Sequence, residues 1–339
     1  MNKTDSLVRL SDGLPKAELH LHIEGTLEPE MVFRLAKKNT IDLPFSSVEE
    51  LAGRYDFENL QSFLDIYYLA CAVLRTEQDF YELTWAYLRQ CQLENIVHTE
   101  IFFDPQSHTG RGIPFSVVID GIHRALRQAE TELGISSRLI MCFLRHLPVE
   151  SAFATWRQAE PYLDRIHGVG LDSGERNFPP RLFTGVFARA REAGLETVAH
   201  AGEEGPPAYI QQALDWLQVS RIDHGVRIVE DEALLQAVAA HQIPLTMCPL
   251  SNTRLRVCPA MQQHPLLKLL ERGLLVTVNS DDPAYFGGYL NANFSALIEA
   301  LEPSREQLVQ LAKNGFTASF MDEGSKSRWI EKIDAAGVG

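Results

Sequence analysis

Four short segments carry the side chains that could do chemistry. "AELHLHIEG" (17–25) places His20 and His22 two apart and follows them with Glu24. "HAGEEG" (200–205) carries His200 and Glu203, "RIDHG" (221–225) carries His224, and "VNSDDPAYFGG" (278–288) carries Asp281 and Asp282. In an extended chain alternate side chains share a face, so His20 and His22 lie on one side and Leu19, Leu21 and Ile23 on the other. Each segment alone has an ordinary explanation: hydrogen-bonded core histidines, a turn with a capping aspartate, or an Asp-Pro helix start. Jointly, three imidazoles and a carboxylate match the ligand chemistry of a borderline-soft divalent ion such as Zn²⁺. Structural zinc sites favour cysteine, and none lies in these segments. The metal would then be catalytic, with a position left for water.

Such residues must be brought together by the elements that bear them. Eight β-rich runs are legible: 17–23, 96–103, 138–144, 166–172, 196–201, 221–225, 243–248 and 274–280. Amphipathic stretches lie between most of them, for instance "PFSVVIDGIHRALRQAETEL" and "PRLFTGVFARAREAG". This alternation is that of βα units around a parallel sheet. The pattern also suits an open doubly wound sheet, but eight strands is the count of an α/β (β/α)₈ TIM-type barrel, whose catalytic groups gather at the C-terminal ends of the strands. The four chemical segments fall at such ends. Residues 27–95 read instead as three successive helices, a helical insertion after strand 1 beside the barrel mouth, and the tail past 290 reads as a helical extension. No repeat or Pro/Gly/Ser-rich linker interrupts the chain, so residues 1–339 are expected to form a single domain.

Composition sets limits on partners. The chain of 339 residues is 45% hydrophobic and 22% charged, enough for a large core. Its net charge is 31 − 45 = −14, which repels phosphate backbones and anionic lipid, so a small-molecule partner is expected rather than nucleic acid or membrane. The five cysteines include no CxxC pair, and a reducing cytoplasm is the expected location. The opening "MNKTDSLVRLSDGLPK" has no apolar signal-like run, and no stretch of about 18 apolar residues occurs. A homo-oligomer remains open.

The segments "PKAELHLHIEGTL", "HAGEEGPP", "RIDHGV", "CPLSNTRLRV" and "VNSDDPAYFGGYL" resemble, in order, the adenosine/adenine deaminases of the amidohydrolase superfamily. The resemblance runs from about Pro15 to past Tyr289. It implies a barrel with one zinc ion held by His20, His22, His200 and Asp281. It implies Glu203 as proton donor, His224 as an assisting group and Asp282 as the holder of the purine. The residue chemistry agrees. Zinc lowers the pKa of its water, which can attack C6 of a 6-aminopurine. A buried Glu203 can protonate N1, and Asp281 can take the water's proton. The alternative zinc deaminase design, with Cys ligands and a PCxxC segment, is absent.

Within that family three features point to the free base, adenine, over adenosine. Nucleoside-specific members carry Asp where this chain has Glu24, and the longer side chain is expected to occupy ribose space. "VGLDSGE" (169–175) resembles the base-specific members, with Ser173 and Glu175 expected on the N3 and N9 edge. "AYFGGYL" resembles them as well. "RLRVCP" and "ERNFPP" match the family less fully, which leaves an N6-substituted adenine open as substrate. A purine- or metal-binding protein without turnover would be expected to lack an acid or a ligand, and every expected one is present. His98, His108, His123, His146, His167, His241 and His264 receive no role.

Overall fold

The computed structural model describes residues 3–337. Its centre is a barrel of eight parallel strands in chain order: β1 (Lys16–His22), β2 (Ile96–Phe103), β3 (Ser136–Leu144), β4 (Gly168–Asp172), β5 (Glu196–Ala201), β6 (Arg221–His224), β7 (Leu245–Met247) and β8 (Val276–Val278). All eight predicted runs contain a strand. Closure is made just beyond β8: the His22 N–H donates to the Asp281 carbonyl at 3.0 Å, and the Asp281 N–H donates to the His20 carbonyl at 3.1 Å. The first and last chemical segments are therefore stitched together by backbone. The strands are almost wholly buried, as expected of a parallel sheet covered by helices. β7 and β8 are shorter than predicted, three residues each, because the chain leaves the ladder early to form the loops of the mouth.

The insertion holds four helices where three were predicted: after α1 (Lys3–Gly13) come α2 (Pro29–Asn39), α3 (Val48–Ala52), α4 (Leu60–Cys71) and α5 (Glu77–Leu93). At five residues α3 is too short to show a period. α4 and α5 each start with a reciprocal capping box, Asn59 with Ser62 and Thr76 with Asp79, which fixes where each helix begins. The tail is helical over Leu290–Leu301, Arg305–Thr317 and Glu323–Gly337, as expected.

The barrel interior is layered. Phe102, Ile140, Cys142 and Val198 form an apolar plug. Below it Glu100 accepts from Arg221 Nη1 at 2.6 Å, with Phe320 of the tail beneath, its ring centroid 4.7 Å from the Arg221 guanidinium. Above it lie the histidines. No helix among the described residues is long and apolar enough to cross a membrane.

Candidate active site

The strand ends deliver the predicted side chains to one point. His20 Nε2 is 3.2 Å and His22 Nε2 3.6 Å from Asp281 Oδ1. His22 Nε2 and His200 Nε2 face each other at 3.1 Å. His224 Nε2 lies 3.8 Å from Asp281 Oδ2 and 3.6 Å from Glu203 Oε2. Three site residues leave their strands in the left-handed region, Ser173 (φ 71°), His224 (φ 63°) and Asp281 (φ 65°), a cost of order 1–3 kcal/mol each that is held by the surrounding fold. Gly25 of the opening segment is required by space: a Cβ there would stand 2.1 Å from Asp282 Oδ1.

The hydrogen bonds behind the rings fix what the rings can do. Thr246 Oγ1 donates to Asp223 Oδ1 at 2.9 Å, so it accepts from His20 Nδ1–H at 3.0 Å. His20 Nε2 then carries a lone pair, and that atom is buried without a partner. Asp223 Oδ2 also backs His200 Nδ1 at 3.5 Å, and Asp172 Oδ2 backs His22 Nδ1 at 3.6 Å. Carboxylates behind imidazoles are the arrangement that orients metal ligands. Burial opposes the charge on Asp223, but the neighbouring His200, His20 and Arg221 outweigh it and hold the acid ionised. Burial, then the field of His200, keeps His22 neutral, the form that binds metal. An unpartnered lone pair, two facing imidazole nitrogens and an ionised Asp281 thus fit a divalent cation. Ligand atoms of His20, His200, His224 and Asp281 lie within 4.8 Å of one another, and His22 forms a second such group with Asp281 and Asp282.

A relay behind His224 fixes which of its nitrogens carries the proton. The Leu266 N–H donates to His264 Nδ1 at 3.3 Å, which leaves the proton of this ring on Nε2. That proton goes to Asn252 Oδ1 at 3.2 Å, and the Asn252 amide turns its Nδ2–H to His224 Nδ1 at 3.3 Å. His224 therefore presents an Nε2–H donor to the cavity. Burial holds both rings neutral and brings His264 down to about 4.

The acids divide. Burial, then the charges of Asp281 and Glu175, raise Glu203 well above the carboxylate range. Asp282 is raised likewise by burial and by Asp281. Burial also opposes the charge on Asp281, yet the imidazoles gathered around it, His20 first and then His224, keep its carboxyl well below the usual carboxylate range.

His22, Ser173, His200, Glu203, His224, Asp281 and Asp282 all line one cavity, with His20 behind it. Two predicted residues do not line it. Glu24 is one: its Oε1 accepts from the Asp104 N–H at 3.1 Å and from His108 Nε2 at 2.8 Å, and its Oε2 is buried without a partner. Glu24 starts a tight turn, and its side chain is taken by the N-terminus of the helix after β2. Glu175 accepts from the backbone N–H of Gly202 at 2.9 Å, Glu203 at 3.0 Å and Gly205 at 2.5 Å. It shapes the loop that carries Glu203 instead of facing the cavity. Sequence reasoning missed Asp104 and Asp172, which do line the cavity. Both directly follow or end a strand, β2 and β4, so the strand-end rule could have found them. It also missed Asp223, Thr246, Asn252 and His264, whose roles exist only through contacts distant in sequence. The remaining wall comes from α4, through Leu60, Phe63, Leu64, Tyr67 and Tyr68, and from Leu255 and Phe286.

This geometry has counterparts. A family model described as adenosine deaminase matches residues 15–336. The chain belongs to the adenosine deaminase family. Its relatives in this family include adenine deaminases from Hahella chejuensis, 58% identical over 95% of this chain and 96% of that one, and from Ectopseudomonas mendocina, 62% identical over 91% and 98%. Among solved structures, adenine deaminase from Arthrobacter aurescens superposes with a TM-score of 0.95 at 47% identity, covering 96% of this chain and all of that one. An amidohydrolase from Burkholderia ambifaria with bound Zn superposes at 0.90 with 25% identity, covering 100% and 95%.

Proposed function

We propose that this member of the adenosine deaminase family hydrolyses adenine to hypoxanthine and ammonia, with one zinc ion per chain held by His20, His22, His200 and Asp281. The observation that carries the reading is the pairing of unsatisfied imidazole nitrogens with two carboxyl groups kept protonated in the same cavity. The identity of the relatives' substrate supports it. When bound, zinc supplies a Lewis acid that lowers the pKa of a water toward neutrality.

The chain's own groups do the rest. Asp282, protonated and 4% exposed, donates a hydrogen bond to N7 and sets the ring. Glu203 gives its proton to N1, without which C6 resists attack. His224 Nε2–H donates to the oxygen that attacks C6, and Asp281 Oδ2 accepts the proton that this oxygen loses. The His264–Asn252 relay keeps the His224 donor facing that oxygen. Asp281 passes the proton it took to the C6 amino group, which leaves as ammonia, and the C6 hydroxyl gives its proton to Glu203 as the C6 carbonyl forms, so that N1 keeps its hydrogen and Glu203 is an acid again. A small purine is the partner that this set of groups would recognise, and a cytoplasmic location suits the chain's five buried, free cysteines.

Ammonia release from adenine and from adenosine by the purified, zinc-supplemented protein tests the reading. Strong release from adenine with little from adenosine is expected. Preference for adenosine would discard the substrate, and release from neither would turn attention to N6-substituted adenines.

A further inference from the structure

The cavity that holds the reacting groups has only about 30 Å³ open to water, room for about two waters at ~10–15 Å³ of probe volume each. A purine cannot enter it without movement of a wall. Directly beyond lies a second chamber of about 400 Å³. The two share Leu60, Leu64, Tyr68 and Ser173 as lining. What divides them is a hydrogen-bonded bar: Ser173 Oγ lies 2.7 Å from His146 Nδ1 and 3.1 Å from the Tyr68 hydroxyl. The bar ties three elements together, α4 of the insertion, the exit of β3 and the exit of β4. Ser173 reaches it from a left-handed backbone (φ 71°), so the fold maintains the position at a cost.

We infer that the Tyr68–Ser173–His146 bar is the filter that admits the free base and refuses purines substituted at N9. The inference rests on the adenine reading above. With C6 at the imidazoles, N1 at Glu203 and N7 at Asp282, the N3–N9 edge of the ring faces α4 and Ser173. A base needs only the apolar side chains of Leu60, Phe63 and Leu64 to yield, and the bar can stand closed behind it. A 9-substituent has to pass through the bar into the outer chamber, breaking both hydrogen bonds. The chamber beyond is large and mixes the polar Asn59, Gln61, Arg176 and Glu204 with apolar lining such as Phe178, so a sugar is refused at the bar and not for want of space behind it. Glu24, which does not line the cavity, is not part of this filter.

The test is the ratio of kcat/KM for adenosine and 9-methyladenine to that for adenine in the full-length zinc enzyme. It is measured for the wild type, Ser173→Gly, Tyr68→Phe and Glu24→Asp. Glycine accepts the left-handed conformation, and phenylalanine keeps the ring, so both bar variants should fold. The ratio is expected to rise by about 10- to 200-fold in Ser173→Gly, the scale of one lost packing contact. It should rise less in Tyr68→Phe and stay unchanged in Glu24→Asp. Binding of inosine relative to hypoxanthine, read by calorimetry, should rise in parallel, whatever the turnover of each variant. Adenine turnover with unchanged ratios in both bar variants, or folded variants with no gain in inosine binding, overturns the filter alone. A wild-type protein that neither binds nor turns over adenine overturns the adenine reading and the filter with it.

Discussion

Two glutamates inside one barrel show how neighbours decide a carboxyl's use. Glu100 at the base and Glu203 at the mouth are both buried. Glu100 is fully satisfied: it takes Arg221 Nη1 at 2.6 Å, His98 Nε2 at 3.2 Å and the Phe320 N–H at 2.5 Å. Burial works against its charge, but Arg221 and His98 prevail and bring its pKa down to about 2. Glu203 has no cation in contact. Burial and the charges of Asp281 and Glu175 push it the other way, and its Oε1 has no partner. The same residue type is a structural anion where its hydrogen bonds are complete and, in the mechanism we propose, an acid catalyst where they are left open. The barrel base is thus closed chemistry, and the mouth holds its unsatisfied groups in reserve for substrate and metal.

The comparison can be broken at either end. Glu203→Gln should cut kcat by about 10²–10⁴-fold while bound zinc, measured by elemental analysis, is retained. Its urea midpoint should not fall, because an unsatisfied acid is removed; full activity would sink the acid assignment. Glu100→Gln should do the opposite. Breaking a buried pair leaves Arg221 with only the Asp223 carboxylate, 3.7 Å from its Nε, at a cost of up to about 3–5 kcal/mol in urea unfolding, with the kcat of the folded protein nearly unchanged. A stable variant would mean that the base layer is not what holds the barrel. At intermediate scale, Asn252→Asp should accept from His224 Nδ1 and turn the donor away from the cavity. A loss of about 10–100-fold in kcat is expected, as for other residues that orient a reacting group, with adenine binding kept. Unaltered kcat would remove the relay from the mechanism.

The smallest effect is in the pH dependence of stability. Glu100 has a folded pKa near 2, below its ordinary 4.5. Its contribution is present above pH 4.5 and is lost as pH falls from there toward 2. Glu18, bonded by Tyr87 and Ser280 yet without a cation in contact, is raised by burial to about 7. Its contribution is complete below pH 4.5 and is lost as pH rises from there through 7. Urea midpoints across pH should therefore lose their acid-side slope in Glu100→Gln and part of their neutral-side slope in Glu18→Gln. Identical profiles in both variants would show that these buried carboxyls do not set the curve.

Much of this molecule is written locally. The β-rich runs marked eight strands because a parallel strand buried on both faces needs a largely apolar segment, and the βα alternation marked the barrel. The residues proposed to react were legible because barrel enzymes place such groups at strand ends, where His20, His22, His200, His224, Asp281 and Asp282 stand in sequence. Two residues that the sequence offered as substrate contacts, Glu24 and Glu175, went elsewhere. A carboxylate beside free backbone N–H groups is claimed by them, and only the folded chain brings Asp104, Gly202 and Gly205 within reach.

The sequence by itself determined the element order, the metal-capable residue types and the acids, because these depend on composition and spacing along one strand or loop. The tertiary structure decided which imidazole nitrogen carries a proton, which carboxyl stays neutral and where the cavity ends. Those properties are set by Thr246, Asp223, Asn252, His264 and Tyr68, residues remote in the chain. Hydrogen bonds and fields act over a few ångströms of space, whatever the distance in sequence.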